Sequence, residues 1–157
     1  MAALTGRRDG AAEPVAPPVW PGAARVPVGT RADAARARRA ARALAVALGF
    51  GPADAEAVAL AAAELATNLV RYARGGVLVA APVRGAAGVG VQLESRDAGP
   101  GIGDVARALQ DGYSTGGGLG SGLPAARRLM DEFEVDTGPG GTTIVARKWL
   151  RAGGRPR

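Results

Sequence analysis

Glu64 and Asn68 stand four residues apart in the run Glu64-Leu65-Ala66-Thr67-Asn68. On a helix that spacing puts the two side chains one above the other, where a carboxylate and a carboxamide can together serve a metal ion and a hydroxyl. The same pair also reads as an ordinary exposed polar pair. A second carboxylate, Asp97, opens Asp97-Ala98-Gly99-Pro100-Gly101-Ile102-Gly103. At a strand end, with glycines leaving room beside it, a carboxylate can accept hydrogen bonds from an exocyclic amine such as that of adenine. A tight turn uses the same residue types. The third stretch is Ser114-Thr115-Gly116-Gly117-Gly118-Leu119-Gly120-Ser121-Gly122-Leu123. Successive backbone N–H groups without side chains in the way, leading to a helix N-terminus, cradle phosphates. Linkers are also glycine-rich, but this run is short and a helix follows at once, which favours the cradle.

What is missing narrows the chemistry further. The 157 residues contain no cysteine, no histidine and one lysine, Lys148. Disulfides, thiolate nucleophiles, imidazole bases and Cys/His zinc sites are excluded. Lys148 stands between Arg147 and Trp149, so the Gly-Lys-Ser/Thr of a P-loop is absent too. A catalytic base must then be a carboxylate, a tyrosine or a solvent species. The formal charge of +6 is almost all arginine, with 4% aromatic residues to stack on bases. Arginine bias explains it better than a nucleic-acid site. No apolar run approaches the roughly 20 residues of a membrane span, and no secretory hydrophobic stretch opens the chain, so a cytoplasmic protein is expected.

Positioning these residues requires a set of regular elements. The first 22 residues mix Ala, Pro and Gly without periodicity and read as a flexible leader. A strand over 24–28 precedes a helix over 31–49, capped by Thr30 and stopped by Gly49. Gly51-Pro52 opens a second helix, to about Arg74, with Val58, Ala62, Leu65, Leu69 and Tyr72 on the stripe expected to pack on a sheet. Strands over 77–83 and 89–95 form a hairpin across 84–88. A short helix over 104–110, a helix over 123–130 and strands over 132–136 and 142–149, joined by Thr137-Gly138-Pro139-Gly140-Gly141, complete the order. Segregated strands and helices indicate an α+β two-layer sandwich, a mixed β-sheet with helices on one face, rather than a Rossmann alternation. One domain over 23–150 with a basic tail at 151–157 follows.

The order and spacing of the three motifs resemble the GHKL (Bergerat-fold) ATPase family. Glu64 and Asn68 match its N-box, Asp97 to Gly101 its D-x-G-x-G box, Gly116 to Gly122 its glycine-rich box and Gly141-Thr142 its later Gly-Thr. Glu rather than Asn at the first N-box position resembles the anti-sigma-factor serine/threonine kinase branch. Asp111 through Phe133, and the ending Ala146-Arg147-Lys148-Trp149-Leu150-Arg151, are similar to the RsbT type of switch kinase.

The resemblance implies Mg-ATP as cofactor and a set of site roles. Asp97 would accept from adenine N6, with Thr142 assisting through water. Asn68 would ligate Mg2+, and Glu64 would act as base toward a Ser/Thr hydroxyl. Gly99, Gly101, Ile102, Thr115, Gly116, Gly117, Gly118, Leu119, Gly120, Gly122 and Leu123 would line the nucleotide. With no lysine available for the phosphates, Arg107, Arg127 and Arg128 are the candidate charge partners. Implied partners are STAS-domain protein substrates of the RsbS or RsbR type, a metal-dependent phosphatase (RsbU-like) activated by binding, or a sigma factor, with no nucleic acid and no membrane. The leader, the basic tail and Thr67 within the N-box depart from the family pattern. An anti-sigma factor, and a partner-switch protein that binds ATP without transferring it, are the rival readings.

Overall fold

The computed structural model describes residues 13–14, in backbone only, and residues 22–110 and 122–151. Strand β2 (Ala24–Val28) leads into helix α1 (Arg31–Ala47), and helix α2 (Pro52–Tyr72) returns the chain to strand β3 (Gly76–Gly85). Strand β4 (Gly88–Asp97) completes a hairpin with β3. The short helix α3 (Val105–Ala108) and helix α4 (Leu123–Leu129) precede the hairpin of β5 (Glu132–Gly138) and β6 (Gly141–Trp149). A two-residue strand β1 (Glu13–Pro14), inside the expected leader, pairs with Val83 and Arg84.

The sheet runs β1-β3-β4-β6-β5, with β2 also on β3, and the helices cover one face. The α+β two-layer sandwich is as expected, but the sheet is not mixed: every strand pair among the described residues is antiparallel. The connections explain this. A single-helix crossover returns the next strand parallel, whereas α1 and α2 form an antiparallel helix pair between β2 and β3, and β3–β4 and β5–β6 are hairpins.

Alanine sets how closely α1 and α2 approach. Ala37, Ala41 and Ala45 on α1 and Ala55, Ala59, Ala62 and Ala66 on α2 are fully buried, so small side chains let the two backbones pack tightly. Val58, Leu65 and Leu69 continue the buried arc toward the sheet, where Leu78, Leu93 and Ile144 meet them. Truncating Leu65 or Leu69 to Ala would cost about 2–5 kcal/mol through lost transfer energy and a residual cavity. Tyr72, expected on this stripe, is instead 49% exposed. It falls at the margin of the arc, on the Asn68 side of the last turn.

The α1 N-terminus is closed by a reciprocal cap. Thr30 Oγ1 accepts from Asp33 N at 3.1 Å, and Asp33 Oδ2 accepts from Gly29 N at 2.8 Å and Thr30 N at 2.9 Å. The Gly29 N–H, then the Arg36 guanidinium, hold the Asp33 carboxyl down at about 2. Such caps stabilise a helix by about 0.5–2 kcal/mol.

Candidate functional site

Three side chains share one row on the helix-facing side of the sheet. Asp97, the last residue of β4, lies opposite Thr142 of β6, and Thr142 lies opposite Thr137 of β5. Residues directly opposite in a ladder point to the same face. Asp97 Oδ1 accepts from Gly99 N at 2.7 Å, which bends the chain sharply after the strand. Asp97 Oδ2 has no partner among the described residues. Thr142 Oγ1 lies 2.7 Å from Thr137 Oγ1, and Thr137 Oγ1 in turn accepts from Ile102 N at 2.8 Å. The strand-end carboxylate, the hydroxyl pair and the turn over 97–103 are thus one hydrogen-bonded unit.

Glycine is required at two positions of that unit. At Gly101 φ is +90°, and a Cβ would stand 2.2 Å from Gly138 O; at Gly141 φ is +142°, and a Cβ would stand 2.2 Å from Asp97 O. Any side chain would force the turn off the β5–β6 hairpin. Gly99 and Ile102 are half-buried within the same turn.

Helix α2 forms the facing wall. The point where Gly76 would carry a Cβ lies 2.9 Å from a Leu69 methyl and 3.2 Å from Asp97 Cβ, and the corresponding point at Gly99 lies 3.4 Å from Ala73 Cα. Asp97 therefore lies against the C-terminal turns of α2, beside Leu69. Asn68 is the residue before Leu69, and Glu64 is one turn further from this pocket, about 6 Å along the axis. Both are half-buried and lie off the apolar arc, as their spacing predicted. Neither makes a hydrogen bond or ion pair among the described residues. A half-buried carboxylate and carboxamide with open hydrogen-bonding capacity can engage an incoming ligand without first breaking a bond.

The donor set suits one kind of metal. The Asn68 carbonyl is a hard oxygen, and no group of three or more His, Cys, Asp or Glu among the described residues could cage an ion. A cation held here would take most of its ligands from water and a bound phosphate chain, which is the habit of Mg2+.

The glycine-rich box is reached only at its end. Thr115, Gly116, Gly117, Gly118, Leu119 and Gly120 lie outside the described residues. Gly122, at φ +64°, is the N-cap of α4, and Leu123 is buried in the core as the first residue of that helix. Arg107, Arg127 and Arg128, the candidate phosphate partners, are all exposed.

Lys148 anchors the far end of α4. It is 7% exposed, donates from Nζ to Leu129 O at 3.0 Å, and lies 3.9 Å from Asp131 and 4.0 Å from Asp54. The single lysine of the chain therefore caps a helix C-terminus and ties it to α2. Arg147, 4% exposed on the helix-free face, donates to Gln92 at 2.9 Å and Glu132 at 2.9 Å, and Trp149 Nε1 donates to Glu132 at 2.8 Å. The basic ending stitches the sheet together.

Thr137 is the residue of the site that sequence reasoning missed. It was expected in a five-residue connection, but the turn holds only Pro139 and Gly140, and Gly138 pairs with Gly141. The spacing Thr137-Gly138-Pro139-Gly140-Gly141-Thr142 carried the signal, since a two-residue turn places the two threonines opposite each other.

Comparison with known proteins identifies the family. A family model described as the histidine kinase-like ATPase domain matches residues 29–148, from the cap of α1 to Lys148. The chain is also 46% identical over 92 residues, covering 58% of this chain and 69% of the relative, to serine/threonine-protein kinase RsbT of Bacillus subtilis (strain 168). The span of the family model takes in the α2 face, the Asp97 turn and the threonine pair, and the chain belongs to the histidine kinase-like ATPase (GHKL) family, on its RsbT-like side.

Proposed function

We propose that this chain is a serine/threonine protein kinase of a partner-switching system, transferring the γ-phosphoryl group of Mg-ATP to a hydroxyl of a STAS-domain protein of the RsbS or RsbR type. One observation carries the reading: α2 presents Glu64 and Asn68 half-buried and without partners among the described residues, while Leu69 of the same helix and its C-cap Ala73 wall the Asp97 pocket. A nucleotide whose base engages Asp97 and whose phosphates extend along α2 would meet Asn68 first and Glu64 beyond it.

Each residue then has a defined task. Asp97 accepts from the exocyclic amine of the base through the oxygen that Gly99 leaves open, and Thr142 assists on the same edge. Asn68 supplies a carbonyl oxygen for the metal, and Mg2+ when bound neutralises charge on the phosphate chain. Glu64 orients the incoming Ser or Thr hydroxyl and takes its proton as the new O–P bond forms and the bond from the γ-phosphorus to the β–γ bridging oxygen breaks. ADP leaves, and the proton passes from Glu64 to solvent. Such transfer depends chiefly on positioning and charge neutralisation.

By its likeness to RsbT the chain is further assigned a second, non-catalytic task. Released from its STAS partner it activates a metal-dependent phosphatase of the RsbU type by binding, and so acts on a stress sigma factor. Among the described residues no helix is long and apolar enough to cross a membrane; use of ATP is in keeping with a cytoplasmic location.

Intact-mass analysis of a STAS-domain protein from the same genome, incubated with this chain and Mg-ATP beside the Glu64→Ala variant, tests the proposal. One added phosphate with the wild type alone is expected. No transfer, despite measured ATP binding and complex formation, would replace the kinase with a partner-binding switch.

A further inference from the structure

Resting on the nucleotide reading above, we propose that Thr137 is a positioning residue that sets the direction of the hydrogen bond Thr142 makes to the base, and so contributes to selection of adenine over guanine.

The inference comes from counting protons. A hydroxyl carries one proton and can accept two bonds. Thr137 Oγ1 accepts from Ile102 N at 2.8 Å and lies 2.7 Å from Thr142 Oγ1, and these are its hydrogen bonds among the described residues. Among the described residues its own proton has one acceptor, Thr142 Oγ1. With Thr137 donating, Thr142 becomes an acceptor inside the pair and keeps its own proton for an outside group. The reverse direction would spend the Thr142 proton on Thr137 and leave the Thr137 proton without a partner among the described residues. Thr142 is 7% exposed, so few competing waters reach it.

The result is a two-point pattern on one row of the sheet. Asp97, as a carboxylate, accepts only, and Thr142 donates. The pairing edge of adenine offers a matching amine donor at N6 and acceptor at N1, whereas guanine presents an acceptor at O6 and a donor at N1. Guanine would face a carboxylate with its carbonyl and a committed donor with its N–H. The relay also links recognition to the glycine turn, because the bond that Thr137 accepts comes from Ile102, directly after Gly101.

The test is the affinity of the full chain for ATP and for GTP, with Mg2+ present, measured by titration calorimetry and competition for the wild type and for Thr137→Val, Thr137→Ala and Thr137→Ser. The valine variant keeps shape and strand preference but loses the proton, and alanine stands in if valine disturbs the fold. Valine or alanine should weaken ATP about tenfold while changing GTP less than about twofold, the scale of one hydrogen bond. Serine should restore the wild-type ratio. Wild-type ATP affinity in both variants, or equal loss for the two nucleotides, would overturn the relay, since a merely structural threonine moves both alike. Asp97→Asn separates the failures: if it too leaves ATP binding unchanged, the nucleotide reading itself falls; if it weakens ATP while the Thr137 variants do not, only the relay does.

Discussion

The two walls of the site are built in opposite ways. On the sheet side Asp97, Thr142, Thr137 and the turn to Ile102 are bound to one another by hydrogen bonds, with glycines at 101 and 141 permitting the close fit. On the helix side Glu64 and Asn68 project from α2, whose apolar arc is buried in the core, yet engage nothing among the described residues. Recognition of a base rewards groups already held in place, because ordering them at binding would cost affinity. Metal ligation and proton transfer reward groups whose bonding capacity is open until the ligand arrives. In the proposed kinase, helix-borne side chains with open bonding capacity would serve the second need, and the hydrogen-bonded sheet side would serve the first.

The largest effect expected from disturbing this contrast is on the open wall. Glu64→Ala should keep ATP affinity and lose phosphoryl transfer by about 10²–10⁴-fold, the worth of a positioned base; comparable transfer rates in a single-turnover assay would remove Glu64 from that role. The locked wall should respond in affinity instead. Asp97→Asn still accepts from Gly99 but replaces an ionised acceptor, and should weaken ATP by roughly 10–100-fold without unfolding the domain. Calorimetric titration beside a circular-dichroism melt checks both halves of that statement.

Gly101→Ala tests how far the locked wall depends on close contact. A methyl 2.2 Å from Gly138 O, at φ +90°, should cost about 2 kcal/mol or more. A thermal midpoint lowered by several degrees is expected; a midpoint equal to the wild type would show that the turn can move away from the hairpin cheaply.

Away from the site the effects should be smaller and of known sign. Asp33 has its folded value depressed from 3.8 to about 2 by the Gly29 N–H and Arg36, so its contribution is present above about pH 4 and lost as the pH falls toward 2. The difference in thermal midpoint between the wild type and Asp33→Ala should therefore shrink across that window. A difference constant from pH 6 to 2 would mean that ionisation of the cap is immaterial. Smallest of all, deleting residues 1–20 removes, among the described residues, the two-residue pairing of Glu13 and Pro14 with β3, and should shift the midpoint by no more than a few degrees. A large drop would show that the leader packs on the core.

Much of this could be read along the chain because it depends on neighbours in sequence. The i to i+4 spacing of Glu64 and Asn68, the Thr30 cap, Pro52 at the start of α2 and the apolar arc from Val58 to Leu69 are all local matters. The three motifs could be listed, and their family resemblance stated, from residue types, order and spacing along the chain. Strand limits were harder, because a ladder continues as long as a partner is present: β3 and β4 run to a two-residue turn at Ala86-Ala87, beyond the five-residue loop that composition suggested.

What only the tertiary structure decided are the pairings between residues distant in sequence. Tyr72 has the spacing of a core residue but sits where the last turn of α2 loses its cover. Lys148, which its neighbours in sequence exclude from a P-loop, is taken up by the carbonyl end of α4 and by two aspartates. Thr137 acquires its place because β5 returns along β6 and brings its hydroxyl to Thr142 and to the Ile102 N–H, 35 residues away in the chain. Local spacing determines which face a side chain occupies on its own element; which atoms meet it there is determined by how elements far apart in sequence come to lie side by side.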